Sequence, residues 1–137
     1  MQAWITGIIS QINDADISTA MGVAPAVYLD RAPESATLPL VVIAAKKSVM
    51  THDLAMNQYI QAEAEIAVYA TQLSAAQAGA DVMVAAIDGV NFAVQGATLL
   101  SNRIIESPAA TISLLNSAAE PVYKIGLGVG AILFVLK

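Results

Sequence analysis

Between Val27 and Gly89 the chain passes through an order of local signals that few folds can satisfy. Ala26 to Leu29 is a short apolar strand. Asp30 to Leu38 holds Pro33 and small polar residues and reads as a loop. Leu40 to Ala45 is an uninterrupted apolar run bounded by Pro39 and by Lys46-Lys47, too short for a helix and suited to a buried strand. From Tyr59 to Tyr69 apolar and polar residues alternate. Ile60, Ala62, Ala64, Ile66 and Val68 fall on one face, and Gln61, Glu63 and Glu65 on the other. Period two with one wet face is the mark of an antiparallel strand. The two strands form a hairpin whose polar tip is expected over Lys46 to Gln58.

An alanine-rich helix follows. Ser74-Ala-Ala-Gln77 has capping-box spacing. Leu73, Ala76, Ala80, Met83, Val84 and Ile87 make its core stripe, and Gly89 suits the left-handed residue beyond its end. Gly79 inside this helix costs about 1 kcal/mol relative to alanine, which close packing on a sheet would justify. Upstream, Trp4, Ile5, Ile8, Ile9 and Ile12 share one helical stripe, so Gln2 to Asn13 is a predicted helix that ends or turns at Asn13-Asp14-Ala15-Asp16. Asn91 to Gln95, Thr98 to Glu106, Thr111 to Leu115 and Tyr123 to Leu136 read as further strands. The fold expected is therefore α+β, a mostly antiparallel sheet with a long-tipped hairpin, packed by an N-terminal and a central alanine-rich helix. One domain is expected over residues 1–137.

Composition limits what such a domain does. Apolar residues make up 57% and charged residues only 12%, with a mean hydropathy of +0.65. A monomer so poor in charge would expose large apolar patches, so much of the surface is expected to be covered by partner chains. A formal charge of −5 argues against nucleic-acid binding. The absence of cysteine removes disulfides, thiolate chemistry and Cys-based zinc sites. The first residues lack the basic region of a signal peptide, which points to a reducing cytoplasm during assembly.

No catalytic set is expected. His52 is the sole histidine, and nucleophile, base and orienting group would all have to converge on it. Asp14 and Asp16 are too few for a cation site without further oxygen ligands. Glu63 and Glu65 share a strand face and read as a solvated or lumen-facing edge. Gly126-Leu-Gly128-Val-Gly130-Ala131 matches a dinucleotide fingerprint in letters only, because six residues follow it and no helix or acidic residue can be placed downstream. The apolar run Ile125 to Leu136 is shorter than the roughly 20 residues of a spanning helix, so no membrane is expected. As a strand it puts Leu127, Val129, Ala131, Leu133 and Val135 on one face. Gly126, Gly128 and Gly130 leave the other face smooth for close approach. No cofactor or metal is called for.

The order of these elements resembles the tail-completion proteins of tailed phages, also called tail terminators or tail-to-head joining proteins. The resemblance rests on Val27-Tyr28 followed by Pro33, on Leu38-Pro39-Leu40-Val41-Val42-Ile43, and on a hairpin ending Ala67-Val68-Tyr69-Ala70. The helix Leu73 to Ile87 with its Asp88-Gly89 exit completes it. It runs from the first helix to about Glu106. The apolar C-terminal strand departs from the more polar one that such proteins carry. The resemblance implies a virion protein of the tail or neck: a ring, usually of six subunits, that caps the tail tube, meets the head-tail connector and lets genomic DNA pass without specific binding. Low charge suits such an obligate oligomer, and an acidic balance suits a channel for DNA.

Within that frame the hairpin tip is the expected contact with a neighbouring subunit or the tube, through Lys46, Lys47, Met50, His52, Asp53, Leu54 and Met56. Glu63 and Glu65 are expected to face the channel. A small-ligand-binding α+β module, or another non-enzymatic assembly protein, is the competing reading. A membrane-active protein is the third, on the terminal apolar run alone.

Overall fold

In a computed structural model describing residues 2–14, 17–33, 37–112 and 122–136, helices cover one face of a five-stranded sheet. The elements are α1 (Gln2–Asp14), α2 (Ile17–Met21), β1 (Ala26–Leu29), β2 (Leu40–His52), β3 (Gln58–Ala70), α3 (Leu73–Ile87), β4 (Thr98–Ile112) and β5 (Tyr123–Val135). The strand order is β1-β2-β3-β5-β4. β1 lies parallel to β2 through Ala26↔Leu40 to Leu29↔Ile43, and every other pairing is antiparallel. The α+β class expected from the sequence is the one found.

The core forms where the helical stripes meet the dry side of the sheet. Trp4, Ile8 and Ile12 of α1 are fully buried, as are Ala76, Ala80, Met83 and Ile87 of α3. They pack in one cluster with Val41, Ile43, Ile66, Val68, Leu127 and Val129. Burying each large side chain contributes about 1.5–3 kcal/mol, which is why the apolar periodicity of α1 and β3 translated directly into structure.

Several local expectations are corrected. α3 starts at Leu73 with Gln72 as its cap, and no side chain caps it. Ser74 is thus already inside the first turn, out of the capping-box position. Leu73 is exposed and stands outside the core stripe. Gly79 packs on α2, not on the sheet: a Cβ there would lie 2.6 Å from Met21 Sδ. α2 itself had no counterpart in the sequence reading, because five residues carry too little periodicity to be seen. Asn91 to Gln95 forms no strand, only the isolated bridge Val94↔Ala97. β4 joins what looked like two strands, Thr98 to Glu106 and the start of Thr111 to Leu115, and residues 113–115 lie outside the described residues. Asp16 and the side chain of Asp14 lie outside them too. Gly89 does take the left-handed conformation, at φ +71.

Candidate functional site

Among the described residues, one face of the sheet carries no helix and one edge carries no further strand. β2 carries one extra residue between Ala45 and Lys47, where the pairing jumps from Ala45↔Ala64 to Lys47↔Glu63. This bulge turns two consecutive side chains to the same side. Lys46 Nζ reaches Glu65 at 3.0 Å, and Lys47 Nζ lies 3.8 Å from Glu63. Lys124 of β5 approaches Glu65 from the other flank at 3.5 Å. The Lys46 hydrogen bond holds the Glu65 carboxyl below the ordinary carboxylate range. Partial burial opposes this, and the charge of Lys124 reinforces it. Lys46 is correspondingly held above the ordinary lysine value by its hydrogen bond to Glu65 and the charge of that carboxylate.

Glu63 and Glu65 therefore sit on the helix-free face, as the alternation of β3 required, with lysines beside them. Next to them the glycines of β5 form a trough, but side chains from β4 lean over it. A Cβ on Gly128 would meet Glu106 Cβ at 3.0 Å, and one on Gly130 would meet Ile105 Cγ2 at 3.0 Å. The smoothness serves the neighbouring strand's side chains. An open groove of about 310 Å³ remains, bounded by Gln61, Glu63, Arg103, Ile105 and Gly130. Beyond it the face turns apolar, with exposed Val49, Ile105 and Ile132 and the tilted pair Tyr59–Phe134 at 5.1 Å.

The long polar tip is corrected. β2 and β3 continue to His52 and Gln58, and the connection is only Asp53 to Asn57. Lys46 and Lys47 lie at the bulge in the middle of β2, and Met50 and His52 lie within its exposed far half. Only Asp53, Leu54 and Met56 belong to the turn. The bulge broke the alternation that would have revealed the strand. The turn is tied internally: the Asp53 carboxylate accepts from the amides of Ala55 and Asn57, each at 2.9 Å, and from Asn57 Nδ2 at 3.2 Å. The amide of Met56 donates to Asp53 O at 3.0 Å, and Met56 has φ +66, as a three-residue hairpin loop requires. Leu54 stands at the tip at 106% relative exposure, an apolar side chain open to solvent.

Beyond Ile43 β2 has no outer neighbour among the described residues, and Ala45 to His52 are all exposed. The opposite edge, β4, is defended. Its pairing shifts three times, it contains Pro108, and Asn102 O and Ile104 N are occupied by Gly89 N at 2.7 Å and Asp88 Oδ1 at 3.0 Å. Sequence reading missed Asn102, which is 97% hidden and bonds both Trp4 and Ile87. Its one signal was an amide two residues from Leu100 and from Ile104, between polar Ser101 and Arg103.

No family model matches the chain, and no curated protein matches it in sequence. Solved structures do match. One is a chain of the virion of a native gene transfer agent particle, with TM-score 0.67 and 17% identity over 93% of this chain and 91% of that one. The two share a fold along nearly their whole lengths. No helix of the described residues is long and apolar enough to cross a membrane.

Proposed function

We propose that this protein is a structural, non-enzymatic component of a phage-like virion. In this reading it forms a ring of six subunits at the tail or neck that caps the tail tube and joins it to the head-tail connector. The observation that carries the reading is the fold shared with a chain of a gene transfer agent virion over 93% of this sequence. The surface supports it: one sheet face has no helix over it, the hairpin presents uncovered Leu54, and only 12% of residues are charged. Head-to-tail contacts that close on rotation generate rings. The net charge of −5 suits a lumen along which DNA slides without adhering.

The hairpin and its turn are the proposed contact with the neighbouring subunit or the tube. Glu63 and Glu65 are proposed to face the channel, on the helix-free side. Imaging of assembled particles with the protein labelled tests the location, and light scattering of the purified chain tests the ring. A label found at the neck with a six-fold mass is expected. A chain absent from particles would end the proposal. Leu54→Asp should leave the subunit folded and impair assembly, because the Leu54 side chain is fully exposed. Unimpaired particle formation by that variant would remove the turn from the interface.

A further inference from the structure

The distal half of β2 is a strand edge that no described residue of the chain pairs with. Asp53 N donates to Asn57 O at 3.0 Å, so Asp53 faces β3. By antiparallel alternation Thr51 also faces β3, and the backbone groups of Ser48, Met50 and His52 point away from it. Lys46 and Lys47, the residues best able to guard such an edge, are turned across the sheet face to Glu65 and Glu63.

The sequence of this edge is self-complementary. Set antiparallel to a second copy and centred on Met50, the segment places Met50 opposite Met50, Ser48 opposite His52 and Val49 opposite Thr51. Lys47 then lies opposite Asp53, opposite charges in both halves of the pairing, and no like charges oppose one another. The backbone agrees. The three pairs with outward groups, Ser48–His52, Met50–Met50 and His52–Ser48, are those able to exchange hydrogen bonds, about six in all. The faces agree as well: side chains of Lys47, Val49 and Thr51 lie on the helix-free side in both copies. A slip of two residues in either direction removes the Lys47–Asp53 match.

We infer that two copies of this chain associate through antiparallel pairing of their β2 edges about Met50, joining their sheets into one. This is a two-fold contact, unlike the head-to-tail contacts of a ring, and it stands independently of the ring proposed above.

The chain has no cysteine, so engineered thiols report the register without background. Val49 and Thr51 of opposite copies form a non-hydrogen-bonded pair with Cα atoms about 4.5 Å apart, within the roughly 4.4–6.8 Å span of a disulfide. Val49→Cys and Thr51→Cys proteins should crosslink to each other when mixed and oxidised, and neither should crosslink to itself. Met50→Pro removes an outward N–H and leaves the hairpin's own ladder intact. It should weaken self-association in sedimentation by on the order of tenfold or more, with unchanged far-UV circular dichroism. Equal crosslinking of each cysteine variant with itself would overturn this register. So would self-association untouched by Met50→Pro, or crosslinking in particles to a different virion protein. A six-fold ring without the mixed crosslink would uphold the ring and refute this contact. The mixed crosslink without a ring would do the reverse.

Discussion

The indole N–H of Trp4 donates to Asn102 Oδ1 at 3.1 Å, fastening α1 to β4 across 98 positions of the chain. The same amide gives its Nδ2 to Ile87 O at 2.9 Å, at the end of α3. One side chain thus holds three elements in a dry site. Asn102→Leu strands the Trp4 N–H and leaves the Ile87 carbonyl with only the Val90 amide, at 3.1 Å; it should lower stability by about 1–3 kcal/mol, the cost of a buried orphan. Trp4→Phe should cost less. Denaturant unfolding reads both, and an Asn102→Leu protein as stable as wild type would show that the network holds nothing.

Leu133 and Ile132 are neighbours on opposite faces of β5. Leu133 is 1% exposed and Ile132 is 37% exposed. Leu133→Asp puts an unpaired carboxylate into the core and should cost about 4 kcal/mol or more. Ile132→Asp should cost about 1 kcal/mol or less. Comparing the two melting temperatures tests the facing of the strand, and similar losses would contradict it.

These two residues also illustrate how much was legible in sequence. β3 and β5 were readable because burial on one face imposes a two-residue period, and α1 and α3 because burial imposes a helical one. The edges were harder. Residues Ser48 to His52 are exposed on both faces, so no hydrophobic selection marks them as strand, and they read as loop. α2 is shorter than two turns. Asn102 acts through geometry 98 positions away from its partner, which no local window contains. The residues proposed for contact lie on one hairpin, though along β2 and its turn and not in a long tip, because β2 continues past the extra residue at Lys46 to His52.

Glu65 supplies a pH dependence. Its folded-state pKa lies below its unfolded value, with the hydrogen bond from Lys46 as the main cause. The pair's contribution is therefore complete above the unfolded carboxylate value of about 4.3 and is lost as pH falls through the lower folded value. For Lys46 the sign reverses: its share is present below 10.5 and is lost as pH rises through its raised folded value. In a carbon-detected NMR titration, Lys46→Met should move the Glu65 midpoint upward. At pH 7 the same change should leave stability almost untouched, because the pair is substantially solvated. An unmoved midpoint would mean the ion pair does not persist in solution.

Gly79 and Met21 should be energetically coupled. Gly79→Val drives a side chain into Met21 Sδ and Cγ, which lie 2.6 and 2.9 Å from a Cβ position. Overpacking of this kind costs about 1–3 kcal/mol. In the Met21→Ala background the added methyls enter the vacated space, so the double variant should be more stable than the sum of the singles, by about 0.5 kcal/mol or more. Strict additivity in a double-mutant cycle would place α2 away from α3.

The extra residue in β2 also divides that strand into two halves of opposite phase. Before it, even-numbered side chains such as Val42 and Ala44 look away from the helices. After it, odd-numbered ones do. The insertion is what lets Lys46 and Lys47 face the same side; excising Lys46 would restore plain alternation, with Lys47 still opposite Glu63 and Val49 and Thr51 still turned away from the helices. A lineage could therefore drop the closest of the three ion pairs by losing a single codon, with every other residue the strand displays left in place.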